Sequence, residues 1–136
     1  MVLDTSAIVA LLRAEPEAEA LARAMAAATV RRVSAASYVE AAAVVDRVGD
    51  PVLSRRLDEL LEVLHIELAP FDAAQAGAAR AAYADFGKGS GHPAGLNLGD
   101  CLAYGLAKAT GQPLLYVGDD FAQTDLRSAL GTDQGG

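Results

Sequence analysis

Tryptophan is absent from this chain of 136 residues, and aromatic residues make up only 5% of it. Rings therefore cannot dominate the core. Alanine and the branched aliphatics must fill it, which brings helices close together. Cysteine is nearly absent too. Cys101, the single one, cannot form an internal disulfide, as expected in a reducing cytosol. No base adjoins it in Asp100-Cys101-Leu102-Ala103-Tyr104, so it reads as a small buried residue rather than a reactive thiol. There is no Cys-x-x-Cys and no His pair at ligand spacing, which argues against zinc. The Gly-rich stretch Gly87 to Gly95 is not followed by a Gly-Lys-Ser or Gly-Lys-Thr signature, which argues against a nucleotide-binding P-loop. No Gly-x-Ser-x-Gly elbow occurs either. No apolar run approaches the roughly 20 residues of a membrane helix. Asp4 stands where a secretory leader would want basic residues and then an apolar stretch. A cytoplasmic protein without a membrane anchor is expected.

Positive charge is also scarce. The formal net charge of −7 argues against broad, nonspecific nucleic-acid binding, which shows a basic footprint. A local basic strip beside an acidic site is compatible with it. Arg13, Arg31, Arg32, Arg55, Arg56 and Lys88 are its candidates, though most read as solvated helix faces. With 52% apolar and 21% charged residues, the chain reads as one soluble globular domain over residues 1–130, followed by a disordered tail at 131–136.

Short apolar strands alternate with helical patterns throughout. Val2-Leu3 reads as a strand ending at Asp4, with Asp4, Thr5 or Ser6 capping a helix through Leu12. Glu15-Pro16-Glu17 opens a second helix, Val30 to Val33 a second strand, and Ser34 to Ser37 leads into a third helix stopped by Gly49-Asp50-Pro51. Leu53, Leu57, Leu60, Leu61 and Leu64 repeat at helical spacing. Ile66 to Leu68 is a strand, and Asp72 caps an Ala-rich helix to Phe86. Gly87 to Gly95 is a loop, and Asn97 caps the next helix. Leu114 to Val117 is a buried strand, Gly118 to Asp125 a polar turn, and Leu126 to Leu130 a last short strand. This order predicts an α/β fold with a mostly parallel sheet covered by helices on both faces.

Acidic residues fall at one edge of that sheet. Asp4 follows the first strand and Asp119-Asp120 follows the strand ending at Val117. Glu40 and Asp100 are expected in the first turns of helices that follow strands, and ligands of open α/β sheets bind at this edge. Each acid taken singly reads as a cap: Ser37-x-x-Glu40 fits a capping box and Asn97-x-x-Asp100 resembles one. Together, in apolar surroundings such as Tyr38-Val39-Glu40-Ala41-Ala42, they would repel one another unless a cation balanced them. No Lys or Arg adjoins them in sequence. A hard divalent cation such as Mg2+ suits an all-oxygen donor set, and metal-dependent phosphodiester hydrolysis follows. His92 in the Gly-rich loop and His65 near a helix end read as structural.

Met1-Val2-Leu3-Asp4-Thr5-Ser6-Ala7, Ser37-Tyr38-Val39-Glu40, Gly95-Leu96-Asn97-Leu98-Gly99-Asp100-Cys101, and Leu114 to Phe121 followed by Thr124-Asp125 together resemble the acidic motifs of PIN-domain ribonucleases, in the form found in VapC toxins of type II toxin–antitoxin pairs. The likeness runs from Met1 to about Leu130. It implies a PIN-like three-layer α/β/α sandwich and a Mg2+-dependent endoribonuclease, with Mn2+ as a substitute, that inhibits translation through metal-activated water and needs no catalytic His. It also implies a cognate VapB-type antitoxin, an RNA substrate and a homodimer. By motif match Asp4, Glu40 and Asp100 are the catalytic acids, with Asp4 and Asp100 on the metal. Asp119 and Asp120 both fit the fourth position, Asp119 following the strand more directly, and Asp125 is a further acidic candidate. Thr5 and Ser6 would orient Asp4 from behind. A non-catalytic PIN-like module that binds RNA or protein and keeps the acids as caps is the alternative. A phosphoacceptor receiver wants an acidic pair after its first strand, and an Asp-x-Asp phosphatase wants a second Asp where Ser6 stands.

Overall fold

The computed structural model describes residues 1–131; of the tail expected at 131–136, only Gly131 lies among them. The elements are β1 (Val2–Leu3), α1 (Thr5–Leu12), α2 (Ala18–Ala27), β2 (Arg31–Ser34), α3 (Ala35–Asp46), α4 (Pro51–Val63), β3 (Ile66–Ala69), α5 (Ala73–Phe86), α6 (Leu98–Thr110), β4 (Leu114–Leu115) and a 3₁₀ turn at Phe121–Gln123. Four strands form one sheet in the order β3-β2-β1-β4, and all three pairings are parallel.

The pleat sorts the core into two halves. Successive strand side chains point to opposite faces. Val2 and Leu114 accordingly join the cluster built with α5 and α6, around Ala79, Leu96, Tyr104 and Leu106. Leu3 and Leu115 join the cluster built with α1 to α4, around Ile8, Leu21, Met25 and Leu57. Helices thus cover both faces, which makes the fold a three-layer α/β/α sandwich. Burying each such Leu is worth roughly 1.5–3 kcal/mol. Small residues bring α5 and α6 together: Ala79, Ala82, Ala103 and Ala107 are all buried.

The sheet is wound outward from β1, to β2 and β3 on one side and to β4 on the other. The winding reverses between β1 and β4. A crevice opens beyond the carboxyl ends of two strands where that happens, and Asp4 follows β1 at this point.

Some boundaries differ from those the sequence suggests. β4 ends at Leu115 rather than Val117, because the Val117 N–H is donated to the Ser6 hydroxyl (3.0 Å) instead of to a ladder. The strand expected over Leu126 to Leu130 is a single parallel bridge, Leu114 to Ser128. Two backbone bonds hold it, from Leu114 N–H to the Arg127 carbonyl and from Ala129 N–H to the Leu114 carbonyl. The turn at 118–125 is less polar than its composition suggests, since it buries Phe121 in the core. The third helix starts at Ala35, capped by Ser34, whose hydroxyl accepts from the Ala36 N–H (3.2 Å). Ser37 is therefore inside the helix, the Ser37-x-x-Glu40 capping box does not form, and Glu40 lies in the second turn rather than the first.

Candidate active site

Asp4 is the centre of the site. It leaves β1 with extended backbone, φ −83° and ψ 158°, and caps α1. Its Oδ2 accepts from the Ser6 N–H (3.0 Å) and the Ser6 hydroxyl (2.6 Å). Ser6 in turn accepts from Val117, so one hydroxyl ties the acid to the end of β4 across the crevice. Only 3% of Asp4 is exposed. Burial pushes its carboxyl up to about 7, with the fields of Asp100 and Glu40 adding to the rise and the Ser6 bonds opposing it.

Glu40 reaches the same place from α3. Its Oε1 accepts from the Thr5 hydroxyl at 2.6 Å, so Thr5 orients Glu40 and not Asp4 as the sequence suggests, and among the described residues Ser6 alone does the latter. The Thr5 hydroxyl also lies 3.3 Å from the Ser37 carbonyl, but its single proton belongs to the shorter bond. The Glu40 carboxylate rests against the first turn of α6 at Gly99, where the positive end of the helix dipole favours an anion.

Asp100 stands in that turn. The capping box with Asn97 is complete in both directions. Asp100 N–H donates to Asn97 Oδ1 (2.8 Å), and Asn97 N–H donates to Asp100 Oδ2 (3.0 Å). Asp100 is partly buried. Its carboxyl is raised by burial, opposed by the Asn97 N–H, raised again by the fields of Asp120 and Glu40, and lowered by Lys88. Lys88 is the cation that sequence adjacency could not reveal. It comes from the loop after α5, which is clasped to the approach to α6 through Lys88 N–H to the Leu96 carbonyl and Leu96 N–H to the Phe86 carbonyl, both 2.9 Å.

The remaining acids separate. Asp120 is exposed and acts on Asp100. Asp119, also exposed, lines a groove of about 880 Å³ with Pro113, Tyr116, Leu126 and Arg127 along the β4 edge. Asp125 is engaged elsewhere, accepting from Tyr104 Oη (2.8 Å) and Lys108 Nζ (2.7 Å) near the end of α6. Lys108 holds its carboxyl below the usual range. His92 is occupied in its own loop, with Nδ1 accepting from the Ala94 N–H and its ring edge-on to Phe86. Cys101 is buried, and its thiol is pushed up to about 11 by burial and then by Asp100, as an inert residue requires.

Among the described residues, no three Asp, Glu, His or Cys side chains are grouped so as to hold a metal ion between them. The acids form an open group. Mg2+ keeps several of its waters and binds through one or two carboxylates, so an open group is the suitable kind. The donors are all oxygens. Asp4 Oδ2 and Asp100 Oδ2 are used in positioning, while the opposite oxygens and Glu40 Oε2 accept no hydrogen bond from the described residues. A buried carboxyl half-protonated near neutrality is what a cation would displace the proton from. The residues fit a hard divalent ion.

The PIN domain family matches residues 1–126. Ribonuclease VapC28 of Mycobacterium tuberculosis is 57% identical over 130 residues, covering 96% of this chain and 98% of that protein. The crystal structure of Mycobacterium tuberculosis VapC20, a Sarcin-Ricin loop cleaving toxin, superposes with a TM-score of 0.73 at 14% identity, covering 92% of this chain and 95% of that one. A toxin-antitoxin complex from Klebsiella pneumoniae contains a chain similar in fold, with a TM-score of 0.65 at 15% identity and 89% of each chain covered.

Proposed function

The chain belongs to the PIN-domain family as a VapC-type ribonuclease, the toxin of a toxin–antitoxin pair, and from that premise we propose that it hydrolyses RNA phosphodiester bonds at the Asp4, Glu40, Asp100 and Asp120 cluster with Mg2+ or Mn2+. The observation that carries this reading is Asp4, a carboxyl buried at the switch between β1 and β4, where burial raises it to about 7 and the fields of Asp100 and Glu40 add to the rise. An acid held there serves no capping purpose that an exposed Asp would not serve equally well.

Asp4 and Asp100 would hold the cation, with Glu40 and Asp120 at its periphery. When bound, the ion supplies the positive charge that offsets the acids, makes water a better nucleophile and stabilises charge on the phosphoryl oxygens. The chain's own groups do the positioning. Ser6 fixes the rotamer of Asp4, Thr5 that of Glu40, and the Asn97 N–H that of Asp100. Lys88, exposed and acting on Asp100, would meet the RNA backbone. His92 is occupied within its own loop, in keeping with a hydrolysis that does not use the 2′-hydroxyl.

The same reading includes a VapB-type antitoxin, a homodimer and a cytoplasmic setting. Among the described residues no helix is long and apolar enough to cross a membrane. Val39 and Leu98, each 65% exposed, stand next in sequence to Glu40 and Gly99 and offer apolar contacts to a partner covering the acids. The test is thermal unfolding with and without Mn2+. A cation-binding cluster gives a rise in Tm that Asp100→Asn removes, together with RNA cleavage that chelation abolishes. A non-catalytic module with acids as caps gives neither. In cells, expression of the chain alone arrests growth and the Glu40→Gln variant does not; equal arrest by both forms would clear the acids of responsibility.

A further inference from the structure

Glycine disfavours a helix, and Gly99 occupies the second position of α6. Its backbone has none of the positive φ that would require glycine. The reason for it lies across the crevice. A Cβ built on Gly99 would collide with Oε2 and Cδ of Glu40 and stand 2.7 Å from Oε1, where real Cβ contacts below 3.0 Å essentially do not occur. Those atoms are the end of a flexible side chain, not backbone. Gly105, in the same helix, makes the contrast: a Cβ there would meet the Gln75 backbone carbonyl at 2.6 Å, so that glycine serves helix packing.

We propose that Gly99 is a positioning residue for the reaction: its missing side chain lets the Glu40 carboxylate lie across the first turn of α6, beside Asp100, and any side chain at 99 displaces that carboxylate rather than the helix. The Thr5 hydroxyl clamps Glu40 from one side, and the bare Gly99 backbone leaves room on the other. Alanine at 99 satisfies the helix better than glycine does, so the fold gains while the site loses. This rests on the reading of the acids as a cation-binding nuclease site.

The experiment compares wild type, Gly99→Ala, Glu40→Ala, the Gly99→Ala/Glu40→Ala double variant and Gly77→Ala. Gly77 is a helical glycine with nothing within 4 Å of a built Cβ, so it controls for the propensity change alone. Tm is measured, Mn2+ affinity is read from free Mn2+ by paramagnetic resonance, and the Glu40 carboxyl carbon is followed by NMR in metal-free protein. Gly99→Ala is expected to keep or raise Tm, to lose about tenfold or more in Mn2+ affinity, and to shift the Glu40 resonance, which Gly77→Ala leaves in place. In the Glu40→Ala background the same substitution changes Mn2+ affinity by less than about twofold, because nothing remains to displace. An unmoved Glu40 resonance, a Tm loss without an affinity loss, or an equal affinity loss in both backgrounds overturns the proposal. Wild type that fails to bind Mn2+ contradicts the nuclease reading instead, and the Glu40 resonance then decides the positioning claim by itself.

Discussion

A carboxyl with 3% of its surface exposed is unfavourable to ionise, and in metal-free protein Asp4 should betray itself through pH. Its folded-state value, about 7, lies above the ordinary carboxyl value of 3.8. Between those values the native state binds more protons than the unfolded chain, so stability falls as pH rises through the window. The full effect approaches about 4 kcal/mol. Asp4→Asn keeps an oxygen for the Ser6 bonds and removes the titration. In chelator, it should unfold at a higher temperature than wild type near pH 8, by about 5 °C or more, and at nearly the same temperature near pH 4. Equal Tm curves across that range would show that Asp4 ionises freely. The fourth acid is a prediction at this scale too. The sequence favours Asp119 over Asp120, since Asp119 follows the strand more directly. The field on Asp100 comes from Asp120, whereas Asp119 lines the groove. Asp120→Asn should lower RNA cleavage about tenfold or more and Asp119→Asn much less; the reverse order would move the site toward the groove.

Elements show why some of this was legible and some was not. The start of α6 could be read because Asn97-x-x-Asp100 is a local pattern, and both capping bonds form. The start of α3 lies three residues before the one that Ser37-x-x-Glu40 suggests, because Ser34 and Ser37 offer the same signal and only the strand register decides that Ser34 is the cap. The length of β4 could not be read at all. Its end depends on a bond between Val117 and Ser6, 111 residues apart. The same bond yields a prediction. Ser6→Ala removes the donor to Asp4 and the acceptor for Val117 at once, which should cost roughly 1–3 kcal/mol. It should also raise the Asp4 carboxyl further, visible as stability loss that grows with pH in denaturant titrations. Ser6→Thr, which keeps the hydroxyl, should recover most of both.

The whole molecule is a parallel sheet wound in two directions from β1, and its alternation of apolar strands and amphipathic helices was plain in the sequence. What converges at the switch point was only partly so. Asp4 and Asp100 can be placed at one edge by topology, but the contact of Glu40 with Gly99 and the arrival of Lys88 require the tertiary fold. Charge acts at this scale as well. With a net charge of −7, the chain favours a basic partner, and an antitoxin that presents Arg to the carboxylates would stand in for the cation by bidentate pairing. Association should slow as salt rises, and replacing the antitoxin's Arg residues should weaken inhibition while apolar docking persists. Inhibition untouched by every such replacement would mean that the partner acts by covering the RNA path. The central claim, that these acids bind the cation on which RNA hydrolysis depends, is tested most directly by RNA cleavage in Mn2+ by wild type and Asp100→Asn, each checked for fold by circular dichroism. Wild-type cleavage that is lost in the folded variant is the predicted result. Undiminished cleavage by folded Asp100→Asn would contradict the claim.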